Sequence, residues 1–123
     1  MKRLLLTLTF MLFLVSASAA DVTSISEAFV KGDVSLLESV LDKNIDVAIP
    51  QKTGKYTIEE TSLLMKEFFQ QNQVSSFKVV HKADKNEKGF LVAKYFTADK
   101  EYRVNITYTI KPDNIFIQSI RIE

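Results

Sequence analysis

The segment from Tyr102 to Ile110 alternates apolar and polar residues with a strict period of two, and it constrains the fold more than any other feature. Successive side chains of a strand point to opposite faces of a sheet, so one face of this segment is buried and the other is solvated. The apolar row is Tyr102, Val104, Ile106, Tyr108 and Ile110, and the polar row is Arg103, Asn105, Thr107 and Thr109. The pattern predicts a strand whose inner face covers a core.

Four other segments have strand patterns and are bounded by turn residues. Residues 51–55, which contain Gly54, are predicted to form a loop after the stop at Pro50. A turn at Asp99 and Lys100 would pair Thr97 with Tyr102. The predicted strands are residues 45–49, 77–82, 90–97, 102–110 and 116–122, and Phe116, Gln118, Ile120 and Ile122 are expected on the inner face of the last one.

The register of the last two strands follows from charge. Two registers keep inner residues opposite inner residues, and one of them sets Arg103 against Arg121. Like charges directly opposed are destabilising, so the register that sets Arg103 against Glu123 is preferred. It pairs Val104 with Ile122 and Ile106 with Ile120.

Helices precede the strands. Ser24 and Glu27 have the spacing of a capping box, and the helix that they would begin should stop at Gly32. Asp33 is then positioned to cap a second short helix.

A third helix is predicted after residue 57. Thr57 and Glu60 form a second capping box, and Phe68 and Phe69 lie on the buried side of a helix that ends near Asn72. We expect both rings to pack on the inner faces of the last two strands. The resulting order is helix, helix, strand, helix and four strands, which predicts an α+β domain with helices packed in a curved antiparallel sheet.

The first twenty residues have the pattern of a cleavable signal peptide. Lys2 and Arg3 precede an apolar run at residues 4–15, and small residues with an Ala-x-Ala site follow at residues 17–19. A membrane anchor is the alternative, but about 12 apolar residues are too few for a bilayer core that needs roughly 20. We predict a signal peptide at residues 1–20, cleaved after Ala19 or Ala20, and a single domain at residues 21–123.

Composition then excludes several classes of function. The chain has 16 basic and 15 acidic residues, and residues 1–20 contain Lys2 and Arg3 but no acidic residue. After cleavage the mature chain would have 14 basic and 15 acidic residues. No basic surface for nucleic acid is implied. The absence of cysteine excludes disulfides, thiol catalysis, cysteine zinc sites and a lipid-anchored cysteine. The sequence predicts a soluble periplasmic or secreted protein that is not a lipoprotein, with no metal, no cofactor and no membrane contact after cleavage.

The order of elements resembles the nuclear transport factor 2-like (cystatin-like) fold, in which a curved sheet wraps helices into a cone. The mature chain is more narrowly similar to the 4783 family of exported bacterial domains of unknown function. That resemblance is carried by Gly32-Asp33, Tyr56-Thr57, Phe68-Phe69 with Asn72, Phe77 with His81, Tyr102-Arg103-Val104 and residues 120–123. It implies the fold and the compartment, and it implies no activity.

A pocket inside the cone has five candidate residues. His81, the one histidine, is either a general base near the mouth of the cone or a hydrogen-bonded side chain at the edge of the core. The tyrosines either orient a ligand or are core aromatics whose hydroxyls reach water or backbone. The candidates are His81, Tyr95, Tyr102, Tyr108 and Gln118. No strand is predicted to place an acid on its inner face, so no catalytic residue is assigned.

The outer face of the predicted sheet is unusually apolar. Strand 90–97 turns Leu91, Ala93 and Tyr95 inward, which leaves other apolar residues facing outward beside two from the last strand. Such patches usually mark an interface, and a weakly apolar solvated sheet is the alternative. The interface candidates are Phe90, Val92, Phe96, Ile115 and Ile117, with Arg103 and Arg121 as interface or rim residues.

Three functions compete on these grounds. The first is a non-enzymatic module that binds a small molecule or a protein, including a second copy of itself on the outer sheet face. The second is a small lyase or isomerase that uses His81 in the cone pocket, which requires a carboxylate to converge on it. The third is a cystatin-like peptide or protease-binding role, which needs an exposed loop or strand edge.

Overall fold

The computed structural model describes residues 22–112 and 114–123, in which helices pack on one face of a curved six-stranded sheet. The predicted signal peptide, residues 1–20, lies outside the described residues. The helices are α1 (Thr23–Lys31), α2 (Val34–Glu38) and α3 (Ile58–Gln71). The strands are β1 (Leu41–Ile49), β2 (Lys52–Thr57), β3 (Ser76–Lys85), β4 (Lys88–Phe96), β5 (Glu101–Lys111) and β6 (Asn114–Ile122).

The sheet has the order β2-β1-β6-β5-β4-β3, and this corrects two predictions. The β1–β6 pair is parallel while the other pairs are antiparallel, so the sheet is mixed. The segment predicted as a loop after Pro50 is β2, which folds back on β1 with Tyr56 opposite Ile45. The loop prediction was wrong because an edge strand with mostly exposed residues has no apolar alternation, and Gly54 in its middle looks like a turn residue.

Of the three predicted helix starts, two have the predicted cap and one does not. Asp33 accepts hydrogen bonds from the backbone N–H groups of Ser35 at 2.9 Å and Leu36 at 3.4 Å, and so caps α2. The Thr57–Glu60 capping box is present at α3. The box predicted at Ser24 is absent, because the N-cap of α1 is Val22, two residues earlier, and it makes no side-chain cap.

Gly32 ends α1 as predicted. Its φ of 61° is the left-handed conformation that glycine adopts without steric cost, and its N–H reaches the carbonyls of Ala28 and Phe29. The chain then turns directly into Asp33 and α2, which keeps the two short helices together against the sheet.

The predicted register is confirmed over the first half of β5 and the second half of β6. Val104 pairs with Ile122 and Ile106 with Ile120. The Arg103 and Glu123 backbones exchange hydrogen bonds of 2.9 and 3.0 Å across this pair. The inner row formed here is buried and belongs to one continuous core with Phe68 and Phe69 of α3, as expected.

A bulge at Gln118 overturns the faces predicted for the start of β6. Thr107 pairs with Ser119 but Tyr108 pairs with Ile117, so the inner row passes from Ile120 to Ile117 and skips Gln118. A one-residue shift exchanges the two faces of a strand. Ile115 and Ile117 are therefore buried rather than on the outer face, and Phe116 pairs with Thr109 of the outer row instead of joining the inner one.

The turn between β4 and β5 is also shifted from its predicted position. Tyr95, rather than Thr97, pairs with Tyr102, and the Thr97 N–H donates to the carbonyl of Lys100 at 2.9 Å. Because the shift is two residues, the faces are unchanged. Leu91, Ala93 and Tyr95 point inward as predicted.

Candidate functional site

Two of the predicted pocket tyrosines converge on Asn72, the residue that ends α3. The Tyr95 hydroxyl donates to the Asn72 carbonyl at 2.5 Å, and the Tyr102 hydroxyl donates to Asn72 Oδ1 at 2.8 Å. Asn72 Nδ2 in turn donates to the carbonyl of Phe68 at 3.1 Å. Burial raises the pKa of Tyr95 to about 12, and the electrostatic interaction with Tyr102 adds to this shift. These tyrosines hold the end of the helix on the sheet, and their hydroxyls are already occupied.

Aromatic rings fill the space around this cluster. The Phe68 ring lies 5.3 Å from the Tyr95 ring and 5.3 Å from the Tyr102 ring, centroid to centroid. Phe29 of α1 stacks on Phe77 of β3 at 4.9 Å. Such distances are those of favourable edge-to-face and stacked pairs, so the region is a packed core. A cleft beside Tyr102 has a volume of about 180 Å³, below the roughly 300–1,000 Å³ of typical ligand pockets.

The third tyrosine belongs to a different cluster, at the far end of β3. The Tyr108 hydroxyl donates to Asp84 Oδ1 at 2.5 Å, and Lys82 Nζ lies 3.3 Å from Asp84 Oδ2. Burial raises the pKa of Tyr108 above its ordinary value, and the hydrogen bond to Asp84 and the charge of that carboxylate raise it further. The Tyr108 hydroxyl is therefore a hydrogen-bond donor at neutral pH.

Gly89 makes this cluster sterically feasible. It lies between Asp84 and Tyr108 in adjacent strands, paired with both. A Cβ atom at Gly89 would stand 2.5 Å from Asp84 Oδ1 and 2.6 Å from the Tyr108 ring. Only a residue without a side chain allows the tyrosine ring to cross the strand and reach the edge.

His81 does not lie on the inner face, and that prediction was wrong. β3 contains a bulge, in which Val79 pairs with Ala93 but His81 pairs with Val92 of the outer row. The extra residue, Val80, reverses the faces beyond it. The exposed His81 ring lies 5.5 Å from the Phe90 ring. In the described part of the chain no carboxylate bonds His81, so the pair that a lyase would need is not formed.

The same bulge explains a residue that the sequence reasoning missed. Asp84 lies beyond the predicted strand 77–82, whereas in the structure it belongs to β3, on the side where Tyr108 reaches it. Two adjacent apolar residues, Val79 and Val80, interrupt the alternation of that segment and are the one signal of the bulge. The sequence indicates Asn72 as the end of the third helix and as part of the family resemblance, and nothing in its neighbourhood in the sequence indicates that two tyrosines bind it.

The outer face carries two adjoining surfaces. The outer patch comprises Phe90, His81, Val92 and Phe96. Phe90 is 39% exposed, and Val92 and Phe96 are half-buried. The outer trough has a volume of about 740 Å³, and its lining includes the polar side chains of Asp46, Lys55, Arg103, Asn105, Thr107, Ser119, Arg121 and Glu123.

Both signs of charge occur in the outer trough. Arg121 Nε lies 3.0 Å from Glu123 Oε2, and Lys55 Nζ lies 3.8 Å from Asp46 Oδ1. Arg103 is exposed and lies between Lys94 and the backbone of Glu123. Residues 22–112 and 114–123 contain no group of three or more histidine, aspartate or glutamate side chains placed to hold a metal. No helix formed by the described residues is long and apolar enough to cross a membrane.

Solved structures with the same arrangement define the class of fold. A de novo designed protein with a curved β-sheet superposes with a TM-score of 0.70 at 13% identity, over 83% of this chain and 94% of that one. At such identity the likeness concerns the fold alone. The chain has the nuclear transport factor 2-like α+β fold that the sequence predicted.

Within this class of fold, the chain matches one particular family. The family model described as a domain of unknown function (DUF4783) matches residues 22–123, and the protein belongs to that family. A DUF4783 family protein from Bacteroides uniformis is 27% identical with a TM-score of 0.78, over 83% of this chain and 94% of that one. One from Bacteroides fragilis is 24% identical with a TM-score of 0.77, over 85% and 97%. Among curated proteins none matches.

Proposed function

We propose that this protein is an exported, non-enzymatic interaction module that associates with a second copy of itself through the outer face of its sheet. The observation that carries the proposal is the outer patch, where Phe90 is 39% exposed on a sheet face and its ring lies next to that of His81. Exposed aromatic groups that adjoin a polar, charged surface are the usual composition of an interface core and its rim.

The packing of the interior supports binding at the surface rather than inside the cone. The hydroxyls of Tyr95, Tyr102 and Tyr108 are bonded to Asn72 and Asp84, and large apolar side chains occupy the space between the helices and the sheet. A ligand in the cone would have to displace these contacts. Among the residues that the structure describes, no carboxylate pairs with His81, which further disfavours the lyase alternative.

The charges of the outer trough favour self-association. A two-fold axis brings the same surface of both copies together, so that surface must complement itself. Arg103 and Arg121 lie in the same trough as Asp46 and Glu123. Acidic groups of one copy would then face basic groups of the other, which the two signs on one surface allow.

Export belongs to the same proposal and rests on the sequence of residues 1–20. Mass spectrometry of the protein recovered from outside the cytoplasm tests it. A mature chain that begins after Ala19 or Ala20 is expected, and an intact Met1 would contradict export by a cleaved signal.

Sedimentation velocity across the micromolar range tests the association. We expect a dimer, and we expect Phe90→Glu to dissociate it, because a buried charge in the interface core has no partner. Leu63→Glu is the matched control, since Leu63 is 68% exposed on α3 and the charge is added away from the sheet.

Arg103→Glu tests the same surface without altering apolar packing, because Arg103 is exposed. We expect it to weaken the dimer, with the loss reduced at high salt. A wild-type protein that stays monomeric at every concentration would refute self-association, as would a dimer that Phe90→Glu and Arg103→Glu leave intact.

A further inference from the structure

The edge strand β3 is exposed along nearly its whole length. It has ten residues, of which Phe77 alone is half-buried and the other nine are exposed. Within the described residues β3 pairs with β4 and with no second strand. A long edge presents a row of unpaired N–H and C=O groups, which proteins normally shorten or cover.

Only the beginning of the strand is covered. Phe29 of α1 stacks on Phe77, which closes that end of the edge. From Lys78 to Lys85 each residue is exposed, so these eight positions form the free edge. The opposite edge strand, β2, has six residues, two of them half-buried, and it runs directly into α3.

The free edge has a composition that selects its partner. Lys78, Lys82 and Lys85 carry positive charge, and Asp84 is the one acidic residue between them. Lys82 is paired with Asp84 at 3.3 Å, whereas Lys78 and Lys85 have no ion pair among the described residues. The charge left unmatched on the edge is positive.

Two apolar side chains lie between Lys78 and Lys82. Val79 is 37% exposed and Val80 is 50% exposed, next to each other at the bulge. A peptide added to a strand edge gains affinity from backbone hydrogen bonds and specificity from side chains that meet those of the strand. Valines beside unpaired lysines therefore match apolar and acidic residues on an added strand.

We propose that residues 78–85 of β3 bind an extended acidic segment of another protein by strand addition. The inference goes beyond the proposed self-association, since it uses the edge of the sheet rather than its outer face. A second copy is not the occupant, because two β3 edges would bring the same unmatched positive charge together. The lysines that oppose pairing between two copies leave pairing with an acidic strand favourable.

The test uses the mature protein and a synthetic peptide of alternating glutamate and valine, with an alternating lysine and valine peptide as its charge control. Binding is measured by fluorescence anisotropy, and amide hydrogen exchange is measured residue by residue. We expect the acidic peptide to bind and the basic one not to bind. We expect slowed exchange at amides of residues 78–85, because strand addition gives those groups hydrogen-bond acceptors.

Charge reversal identifies the edge. The double variant Lys78→Glu with Lys85→Glu changes two exposed side chains and should weaken binding about tenfold. The control double variant, Lys43→Glu with Lys52→Glu, makes the same change in net charge on exposed residues of β1 and β2. It should change the affinity less than about twofold, within the range of long-range screening.

Several outcomes would overturn the proposal. One is no binding of the acidic peptide, and another is equal weakening by the two double variants, which would indicate general charge attraction. Exchange slowed at β2, or binding with no exchange change in β3, would place the peptide elsewhere. Binding of phosphatidylserine vesicles in place of the peptide would assign the lysines to a membrane surface.

Discussion

The central strand β5 and the edge strand β3 are similar in length, with eleven and ten residues, and differ in their surroundings. β5 has a strand on each side, and Val104, Ile106 and Tyr108 are buried beneath the helices. β3 has one neighbouring strand, and its residues beyond Phe77 are exposed. An apolar residue therefore contributes burial energy in β5 and remains available for contact in β3. The neighbouring strands and helices, rather than the sequence of the strand alone, determine whether an apolar residue is buried or exposed.

The two strands are connected through β4. Tyr108 extends from β5 across Gly89 to Asp84 of β3, so the far end of the exposed edge is tied to the core by one hydrogen bond. The near end is tied by the Phe29–Phe77 stack. The following substitutions separate the core, the tie and the edge.

Loss of the Phe68 ring should have the largest effect. Phe68 is buried and its ring contacts those of Tyr95 and Tyr102, so Phe68→Ala leaves a cavity and should cost about 3–5 kcal/mol of the free energy of unfolding. Urea unfolding measures it. Leu63→Ala, at the exposed position of the same helix, should stay within about 0.5 kcal/mol. A Phe68→Ala protein as stable as the wild type would show that the core does not depend on this ring.

The tie between core and edge should be the next most sensitive feature. Gly89→Ala places a methyl group within 2.6 Å of the Tyr108 ring and should cost about 1–3 kcal/mol by overpacking. Gly54→Ala on β2 is the control, because its Cβ would stand 3.3 Å from the Tyr56 ring and small movements suffice there. Hydrogen exchange at residues 82–85 should accelerate in Gly89→Ala alone. Equal losses in the two variants would contradict a special role for Gly89.

Removing the Tyr108 hydroxyl should have a smaller effect on the free energy of unfolding. Tyr108→Phe leaves the ring in place but deprives Asp84 of a donor, and it should cost about 1–2 kcal/mol, given that Asp84 keeps Lys82 and contact with water. Tyr56→Phe is the control, since its hydroxyl has no hydrogen bond to the described residues. In the Asp84→Asn background the loss from Tyr108→Phe should change, which a double-mutant cycle measures. Additive losses would refute the coupling of the two residues.

The central part of the sheet could be predicted from sequence because several signals agree there. The apolar row of β5 and the Arg103–Glu123 opposition indicate one register, and the Thr57–Glu60 box begins the helix that covers it. Each signal acts within one strand, one pair or one helical turn. Such local signals are present in the sequence itself.

The edge and the candidate site could not be predicted in the same way. Each bulge inserts one residue and exchanges the faces beyond it, which moved His81 outward and Ile117 inward. The alternation of apolar and polar residues does not show where the inserted residue lies, except where two apolar residues are adjacent, as Val79 and Val80 are. The contacts of Asn72 depend on side chains 23 and 30 residues away. Long-range contacts of this kind follow from the tertiary fold, so the pocket prediction was made without them.

Alkaline pH should produce the smallest effect and should arise from the core rather than the edge. Burial raises the pKa of Tyr95 in the folded protein to about 12, above its ordinary value of 10.0. The neutral hydroxyl is therefore favoured by folding, and this stabilisation is fully present below pH 10. Between pH 10 and 12 the unfolded chain loses the proton first, so the stabilisation should decline over that interval.

Urea midpoints measured from pH 8 to 12 test this sign for Tyr95. The midpoint of the wild type should be level at first and then fall above pH 10, and the fall should be shallower in Tyr95→Phe, which has no proton to lose. Tyr108, whose pKa is also raised, contributes to the remaining slope of Tyr95→Phe. A Tyr95→Phe profile parallel to that of the wild type would mean that the Tyr95 hydroxyl ionises as readily in the folded core as in the unfolded chain.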